Sequence, residues 1–106
     1  MNDIIVVVTG GFDPLHSGHI AYFKEAKKLG NKLIVGINSD AWLTKKKGSP
    51  FLPFNERLEI VSNIDVVDEA IGFEDDELNS AADAISQTIQ RYPNNKIVFA
   101  NGGDRG

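Results

Sequence analysis

The sequence of 106 residues has no cysteine, which excludes disulfide bonds, thiolate metal sites and catalytic thiols. It also lacks an apolar run long enough to cross a bilayer and any stretch typical of a signal peptide, so we expect a cytoplasmic protein with no membrane partner. The formal net charge of −4 argues against a general nucleic-acid-binding protein. With 42% hydrophobic and 25% charged residues, the composition predicts one ordinary globular domain.

Short apolar runs rich in β-branched residues alternate along the chain with segments of helical periodicity. The predicted strands cover residues 4–8, 33–37, 66–71 and 96–100, and the predicted helices cover residues 18–29, 41–43, 55–64 and 80–92. This alternation predicts an α/β fold of three layers, with a parallel sheet and helices on both faces. In such a sheet, ligands bind beyond the carboxyl ends of the strands, where the strand order reverses.

The sequence also predicts where the helices begin and which faces they bury. The first helix should bury Ile20, Phe23, Ala26 and Leu29, with Gly30 as the C′ residue that ends it. Asn55 is the expected N-cap of the next long helix. The last helix should begin at a capping box of Ser80 and Asp83 and bury Ala82, Ile85, Ile89 and Tyr92.

The turn between the first predicted strand and the first predicted helix has the features of a phosphate site. Gly10 and Gly11 let a ligand approach the main chain, and the first N–H groups of a helix favour bound phosphate. His16 and His19 are three residues apart, so they share a face on a helical turn. A single histidine at a helix start is more often a surface or capping residue, and Asp13 before a proline is a common turn residue. The histidine pair and the glycines together favour phosphate binding.

Residues 11–19 read Gly-Phe-Asp-Pro-Leu-His-Ser-Gly-His. With the preceding glycine, this stretch resembles the Gly-x-Phe-Asp-x-x-His-x-Gly-His signature of the cytidylyltransferase-like nucleotidyltransferases. That family includes glycerol-3-phosphate and ethanolamine-phosphate cytidylyltransferases and the ADP-heptose-forming enzyme. The resemblance implies one Rossmann-like nucleotidyltransferase domain over residues 1–106, in which the first and fourth strands are neighbours and their end turns face each other.

The activity that this resemblance implies is transfer of CMP from CTP to a small phosphorylated acceptor, such as glycerol 3-phosphate, with release of pyrophosphate. The acceptor's phosphate is already an anion, so the reaction needs alignment and charge stabilisation more than a strong base. Mg²⁺ would accompany the triphosphate, without a dedicated cage of protein ligands. The resemblance also implies a homodimer. An adenylyltransferase that uses ATP, for example on a sugar phosphate, is the alternative, because Phe-Asp-Pro also occurs in adenylyl-transferring relatives.

The resemblance assigns roles to the residues that match the family's motifs. The implied catalytic residues are His16, His19 and Lys46. The implied nucleotide-binding residues are Thr9, Gly10, Gly11, Phe12, Asp13, Gly18, Gly102, Gly103 and Asp104. The implied substrate-binding residues are Arg57, Lys45 and Lys47, and the alternative for Arg57 is a solvated arginine on the first turn of a helix.

The chain departs from the family pattern in two ways. The family carries a Ser/Thr-rich motif beyond the glycine turn at residues 102–104, where it helps to hold the triphosphate, whereas this sequence ends at Gly106. We therefore expect a C-terminally truncated domain that binds nucleotide and catalyses poorly, or a nucleotide-binding module without activity. Asp65 stands where some members carry a basic residue, which leaves the identity of the acceptor open.

Overall fold

A computed structural model describes residues 3–12, 15–40, 44, 48, 52–73 and 82–100 of the chain. The strands are β1 (Ile4–Gly10), β2 (Lys32–Asn38), β3 (Glu69–Phe73) and β4 (Lys96–Phe99). The helices are α1 (Ser17–Lys27), α2 (Phe54–Ser62) and α3 (Ala82–Arg91). These strands pair in parallel in the order β3-β2-β1-β4, which confirms the predicted parallel sheet and the predicted contact of the first and fourth strands. The helix predicted at residues 41–43, Ser80 and the side chain of Ala82 lie outside the described residues.

Different helices cover the two faces of the sheet. On one face, Val6 of β1 belongs to a buried cluster that also holds Phe23 of α1 and Val61 of α2. On the other face, Val7 lies in a second cluster with Tyr92, which follows α3. The predicted layers of helix, sheet and helix are thus confirmed, and burial of each such aliphatic side chain contributes about 1.5–3 kcal/mol. Within the part of the chain that the structure describes, no helix has the length and apolar character needed to cross a membrane.

The buried face of α1 is shorter than the sequence predicts. Phe23 and Ala26 are buried as predicted, but Leu29 is 55% exposed, so the prediction of its burial is wrong. The reason is that α1 ends at Lys27 and its C-cap residue is Lys28. Leu29 therefore lies beyond the helix, where the helical periodicity no longer determines its direction.

Gly30 has a structural role that differs from the predicted one. Because the C-cap is Lys28, the C′ position falls on Leu29, and Gly30 does not adopt a left-handed conformation. A Cβ atom on Gly30 would lie 2.7 Å from the carbonyl oxygen of Ile4, which is too close for any side chain. The same carbonyl accepts a hydrogen bond from the main-chain N–H of Asn31 at 2.8 Å. Gly30 is thus required by the close approach of this loop to β1.

The start of α2 is also different from the prediction. Pro53 is the N-cap residue, so the prediction that Asn55 caps this helix is wrong. Proline offers no side-chain acceptor, and the carboxylate of Asp40 instead accepts a hydrogen bond from the N–H of Phe54 at 3.2 Å. The helix end is therefore stabilised by a residue that follows β2, at a distance in sequence that no local pattern shows.

The buried face of α3 consists of small residues. Ala84 and Thr88 are fully buried, whereas Ile89 is 49% exposed, so the predicted stripe through Ile89 is wrong. A Cβ atom on Gly36 in β2 would lie 3.2 Å from the Cβ of Ala84, which shows how closely the helix approaches the sheet. The Thr88 hydroxyl satisfies its hydrogen bond internally by donating to the Ala84 carbonyl at 2.9 Å. Close packing, rather than side-chain hydrophobicity, selects this face.

β3 begins at Glu69, later than predicted, because Asp68 makes a separate set of contacts before the strand. Its N–H donates to the Leu33 carbonyl at 2.9 Å, and its carboxylate accepts from the Leu33 N–H at 2.8 Å and from Lys27 Nζ at 2.7 Å. Burial opposes ionisation, but the hydrogen bonds from Lys27 and Leu33 outweigh it and lower the pKa of Asp68. Asp68 therefore supports the start of the sheet.

We expect Asp68→Ala to destabilise the protein by about 1–3 kcal/mol, because it leaves the partly buried N–H of Leu33 without its acceptor. The pKa of Asp68 lies below its ordinary value of 3.8, so this contribution is present at neutral pH and is lost on acidification through the native pKa. Urea unfolding at neutral pH measures the difference. Lys28→Ala is the control, since it breaks only an exposed ion pair with Glu25 and should change stability by less than about 0.5 kcal/mol. Equal effects of the two substitutions would contradict the assignment.

Candidate functional site

A cavity of about 490 Å³ opens at the carboxyl ends of β1 and β4, and we call it the β1–β4 pocket. Parallel sheets bind ligands at such strand ends. Its lining includes the predicted residues Thr9, Gly10, Gly11, Phe12, His16, Gly18 and His19, and also Tyr22, Phe99 and Ala100, which sequence reasoning missed. The predicted residues Asp13, Lys45, Lys46, Lys47, Gly102, Gly103 and Asp104 lie outside the described residues, so their roles stay predictions.

The three missed residues come from α1 and from the end of β4, and a hydrogen bond connects these two elements. The Tyr22 hydroxyl donates a hydrogen bond to the Ala100 carbonyl at 3.2 Å, and burial raises the pKa of Tyr22. The sequence carried one signal for Tyr22, which follows His19 by three residues and so shares its helical face. Phe99 lies at the end of β4 and forms part of the opposite wall of the pocket.

His16 and His19 cap the N-terminus of α1 reciprocally. His16 is the N-cap residue, and its Nδ1 accepts a hydrogen bond from the N–H of Gly18 at 3.0 Å. In return, Nδ1 of His19 accepts a hydrogen bond from the N–H of His16 at 3.0 Å. The two ring centroids are 4.0 Å apart. The capping interpretation of these histidines is thus correct, and it places both rings beside the pocket rather than excluding a role there.

The reciprocal cap determines which nitrogen of each ring carries the proton. A neutral imidazole has one acceptor nitrogen and one donor nitrogen. Because Nδ1 is the acceptor in both rings, the hydrogen-bond pattern assigns the N–H of each ring to Nε2. Nε2 lies on the edge of the ring that faces away from the capped main chain. Each histidine therefore presents an Nε2–H donor that is fixed in direction by its own helix.

Gly18 makes this arrangement sterically possible. A Cβ atom at this position would lie 2.8 Å from Cε1 and 3.0 Å from Nδ1 of His16. The ring of His16 occupies the space that any other side chain at position 18 would need. The glycine between the two histidines is therefore explained by the position of the His16 ring over it.

Phe12 supports the site from the protein interior. It adopts φ 52°, which costs a non-glycine residue about 1–2 kcal/mol, and its side chain is buried. Its ring contacts His19 edge to face at a centroid distance of 5.2 Å and contacts Phe23 at the same distance. A Cβ atom on Gly10 would lie 2.8 Å from the tip of the Phe12 ring. Gly10 therefore admits the ring that holds His19 in place.

Arg57 lies in an environment that neither interpretation of the sequence anticipated. Its side chain is buried, with 1% exposed, so the alternative of a solvated surface arginine is wrong. Its guanidinium donates to the carbonyl oxygens of Gly11 at 3.0 Å, Asn38 at 2.7 Å and Leu52 at 3.0 Å, and also to the carboxylate of Asp40. A direct contact between Arg57 and a substrate phosphate stays a prediction.

A family model described as cytidylyltransferase-like matches residues 7–105, which is nearly the whole chain. The chain belongs to the cytidylyltransferase-like family. Members of this family are nucleotidyltransferases, which confirms the resemblance and the class of enzyme that the sequence predicts. The match begins within β1 and spans the histidine turn and all the later elements described above.

Individual relatives agree with this family assignment. The chain is 37% identical to the bifunctional protein HldE of Erwinia tasmaniensis and 33% identical to HldE of Escherichia coli O1:K1. Each alignment covers 94% of this chain, which spans only 23% of the length of these curated relatives. A lipopolysaccharide core biosynthesis protein from Thermoplasma volcanium is 29% identical with a TM-score of 0.71, over 94% of this chain and 96% of that one. A protein of unknown function from Archaeoglobus fulgidus, 22% identical with a TM-score of 0.56 over 100% and 93% of the two chains, shares the fold.

In this cytidylyltransferase-like site, His19 is kept in its neutral form. Its pKa lies below the ordinary value of 6.5, first because burial disfavours the imidazolium and second because of the charge interaction with His16. A neutral ring retains Nδ1 as the acceptor that the cap requires. The lowered pKa and the hydrogen-bond pattern therefore both indicate that His19 is neutral.

We expect the protein to lose stability as the pH falls below 6.5, because the unfolded chain binds a proton at His19 more readily than the native state does. This contribution is fully present above the ordinary pKa and is lost as the pH falls through the lower native pKa. Proton NMR of the imidazole Cε1–H resonances should show His19 titrating below 6.5, with His16→Asn used to assign the two signals. A native pKa at or above the ordinary value would contradict the role given to burial.

Proposed function

We propose that this chain is a nucleotidyltransferase that binds a nucleoside triphosphate in the β1–β4 pocket and transfers its nucleotidyl group to a phosphorylated small molecule. The observation that carries the proposal is the reciprocal cap of His16 and His19, which fixes an Nε2–H donor on each ring. The positive end of the α1 dipole and the main-chain N–H groups of the glycine turn add to this donor set. Together these groups can donate hydrogen bonds to the oxygens of a triphosphate and favour its negative charge.

In the proposed reaction, an oxygen of the acceptor's phosphate attacks the α-phosphorus, and the bond from that phosphorus to the leaving pyrophosphate breaks. The nucleophile is already an anion, so no proton has to be removed from it. Negative charge grows on the α-phosphate and pyrophosphate oxygens in the transition state. The Nε2–H groups of His16 and His19 can stabilise this charge without reorganising, because the cap orients them beforehand.

CTP is the first candidate for the nucleotide donor, with glycerol 3-phosphate or a similar acceptor. It is supported by the description of the matching family as cytidylyltransferase-like. ATP with a sugar phosphate is the second candidate. It is supported by the likeness to a lipopolysaccharide core biosynthesis protein, since that core is built from sugars, and by the Phe-Asp-Pro sequence at residues 12–14.

Mg²⁺ is proposed as the partner of the triphosphate rather than as a resident of the protein. Among residues 3–12, 15–40, 44, 48, 52–73 and 82–100, no group of three histidine, aspartate or glutamate side chains could hold a metal ion. Mg²⁺ commonly keeps several waters and binds through substrate phosphates. When bound, it would neutralise part of the triphosphate charge beside the histidine donors.

The proposal can be tested by a pyrophosphate-release assay with Mg²⁺ and each of CTP, ATP, GTP and UTP, alone and with glycerol 3-phosphate or a sugar 1-phosphate. We expect pyrophosphate only when a matching donor and acceptor are present together. Thermal-shift measurements with the same triphosphates separate binding from turnover. A shift without release of pyrophosphate would identify a nucleotide-binding module without activity, and no shift with any triphosphate would contradict nucleotide binding.

We also propose that the chain forms a homodimer, as the family resemblance implies. Basic residues are concentrated in the first half of the sequence and acidic residues in the second, so two copies related by a two-fold axis can present opposite charges to each other. Light scattering should then give twice the chain mass of 11.6 kDa. A monomer mass at working concentrations would remove this proposal.

A further inference from the structure

Arg57 connects the glycine turn to two other parts of the chain. Its Nη1 group donates to the Gly11 carbonyl at 3.0 Å and to the Asn38 carbonyl, the last of β2, at 2.7 Å. Its Nε donates to the Leu52 carbonyl at 3.0 Å, and Nη2 donates to the carboxylate of Asp40. Asp40 and Leu52 lie before and after the sequence segment that contains Lys45, Lys46 and Lys47. One buried side chain therefore joins the turn, β2 and both flanks of that segment.

The hydrogen bond to Gly11 fixes the direction of a peptide group in the pocket wall. The C=O and N–H of a trans peptide point in opposite directions, so a Gly11 carbonyl directed at Arg57 turns the N–H of Phe12 away from Arg57. β2, whose last carbonyl also accepts from Arg57, lies on one side of β1. β4, whose end lines the pocket, lies on the other side. The N–H of Phe12 is therefore directed to the pocket side of the turn.

We infer that Arg57 is a positioning residue, which holds the Gly11–Phe12 peptide so that its N–H faces the β1–β4 pocket as a donor for a nucleotide phosphate. The identity of this ligand rests on the proposed function, whereas the orientation of the peptide does not. The role replaces the direct phosphate contact that the resemblance implies for Arg57, whose guanidinium is enclosed by protein acceptors. The turn needs such a contact, because Phe12 adopts a positive φ that glycine alone accepts readily.

An arginine is required for this role because of its shape. The planar guanidinium presents N–H groups in several fixed directions and here reaches three carbonyl oxygens and one carboxylate. A lysine ammonium carries its donors on a single nitrogen and cannot reach all four acceptors at once. Arg57→Lys therefore keeps the charge and removes the geometry, which makes it the informative substitution.

The experiment compares the wild-type chain, Arg57→Lys and Asp68→Ala. Two properties are measured, namely the amide resonance of Phe12 in a ¹H–¹⁵N spectrum without nucleotide and the dissociation constants of Mg²⁺–CTP and Mg²⁺–ATP. We expect Arg57→Lys to displace the Phe12 resonance and to weaken triphosphate binding about tenfold or more, as for a misplaced donor. Asp68→Ala loses stability away from the pocket and should leave both properties unchanged, so it controls for a merely structural effect.

A folded Arg57→Lys protein with the wild-type Phe12 resonance and wild-type affinity would overturn the inference. If that variant does not fold, Asp40→Asn replaces it, since the Asp40 side chain is 46% exposed and the change weakens only one of the four Arg57 contacts while keeping one oxygen that can accept from the N–H of Phe54. A displaced Phe12 resonance in Asp40→Asn supports the role of Arg57, and an unchanged one overturns it. If the wild-type chain binds no triphosphate, the proposed function fails, and the Phe12 resonance still decides the question for Arg57.

Discussion

Replacement of His16 by asparagine is expected to lower the rate of nucleotidyl transfer about a hundredfold, as for loss of one preorganised donor, with little change in stability. Asparagine is a good N-cap residue, and its side-chain oxygen can accept the hydrogen bond from the N–H of Gly18 that Nδ1 of His16 accepts at 3.0 Å. It has no equivalent of the Nε2–H on the far edge of the ring. Steady-state kinetics with the donor and acceptor found by pyrophosphate release, together with urea unfolding, measure the two effects separately.

His16→Ala is the matched variant, because it removes the cap and the donor together. We expect a similar loss of rate and, in addition, a loss of about 0.5–2 kcal/mol in the free energy of unfolding. A near-wild-type rate for His16→Asn would show that the Nε2–H does not act in the transition state. Equal stabilities of the alanine and asparagine variants would show instead that the cap contributes little to α1.

Replacement of Gly30 by alanine should lower the free energy of unfolding by about 1–3 kcal/mol, as for overpacking of a tight site. The added Cβ would lie 2.7 Å from the carbonyl oxygen of Ile4, and that oxygen is held by the N–H of Asn31 at 2.8 Å. Neither main-chain group can move away without disturbing β1 at the centre of the sheet. Urea unfolding of the variant and the wild type measures the loss.

Leu29→Ala is the control for this experiment, since Leu29 is the adjacent residue and is 55% exposed. Substitutions at such surface positions usually change stability by less than about 0.5 kcal/mol. The sequence alone predicts Leu29 in the core, and therefore a large loss of stability for Leu29→Ala, with Gly30 as the C′ residue of the helix. A stable Gly30→Ala protein, or a strongly destabilised Leu29→Ala protein, would contradict the structure of this loop.

The features that could be predicted from the sequence are those determined by neighbouring residues. The β-branched run of β1, the glycine turn and the two histidines on the first turn of α1 lie within a short stretch, and each constrains the next. The alternation of strands and helices predicts the parallel sheet, because a crossover connection is required between parallel strands. These local constraints placed the glycine turn and the two histidines at the carboxyl end of β1, whereas the position of β4 beside it was implied by the family resemblance.

The features that were missed depend on contacts between distant parts of the chain. Arg57 is buried because its acceptors come from Gly11, Asn38 and Asp40, and no short pattern contains all of these. The buried face of α3 was predicted wrongly because Ile89 was expected to be buried. The surface of β2 at Gly36 instead admits only a small residue such as Ala84. In both cases the tertiary packing overrides the tendency of the single residue.

The reciprocal histidine cap has a consequence for protein engineering. The hydrogen bonds that orient both rings join atoms of residues 16–19, so a designer can transplant this turn, with Phe12 to pack against His19, to another strand–helix junction and keep the direction of both Nε2–H groups. The Gly11 peptide is not portable in the same way, because the residue that orients it lies 46 positions further along the chain. A graft of the turn alone will orient the two imidazole rings but not the Gly11–Phe12 peptide group. It should therefore bind phosphate only weakly until a buried arginine is introduced as well.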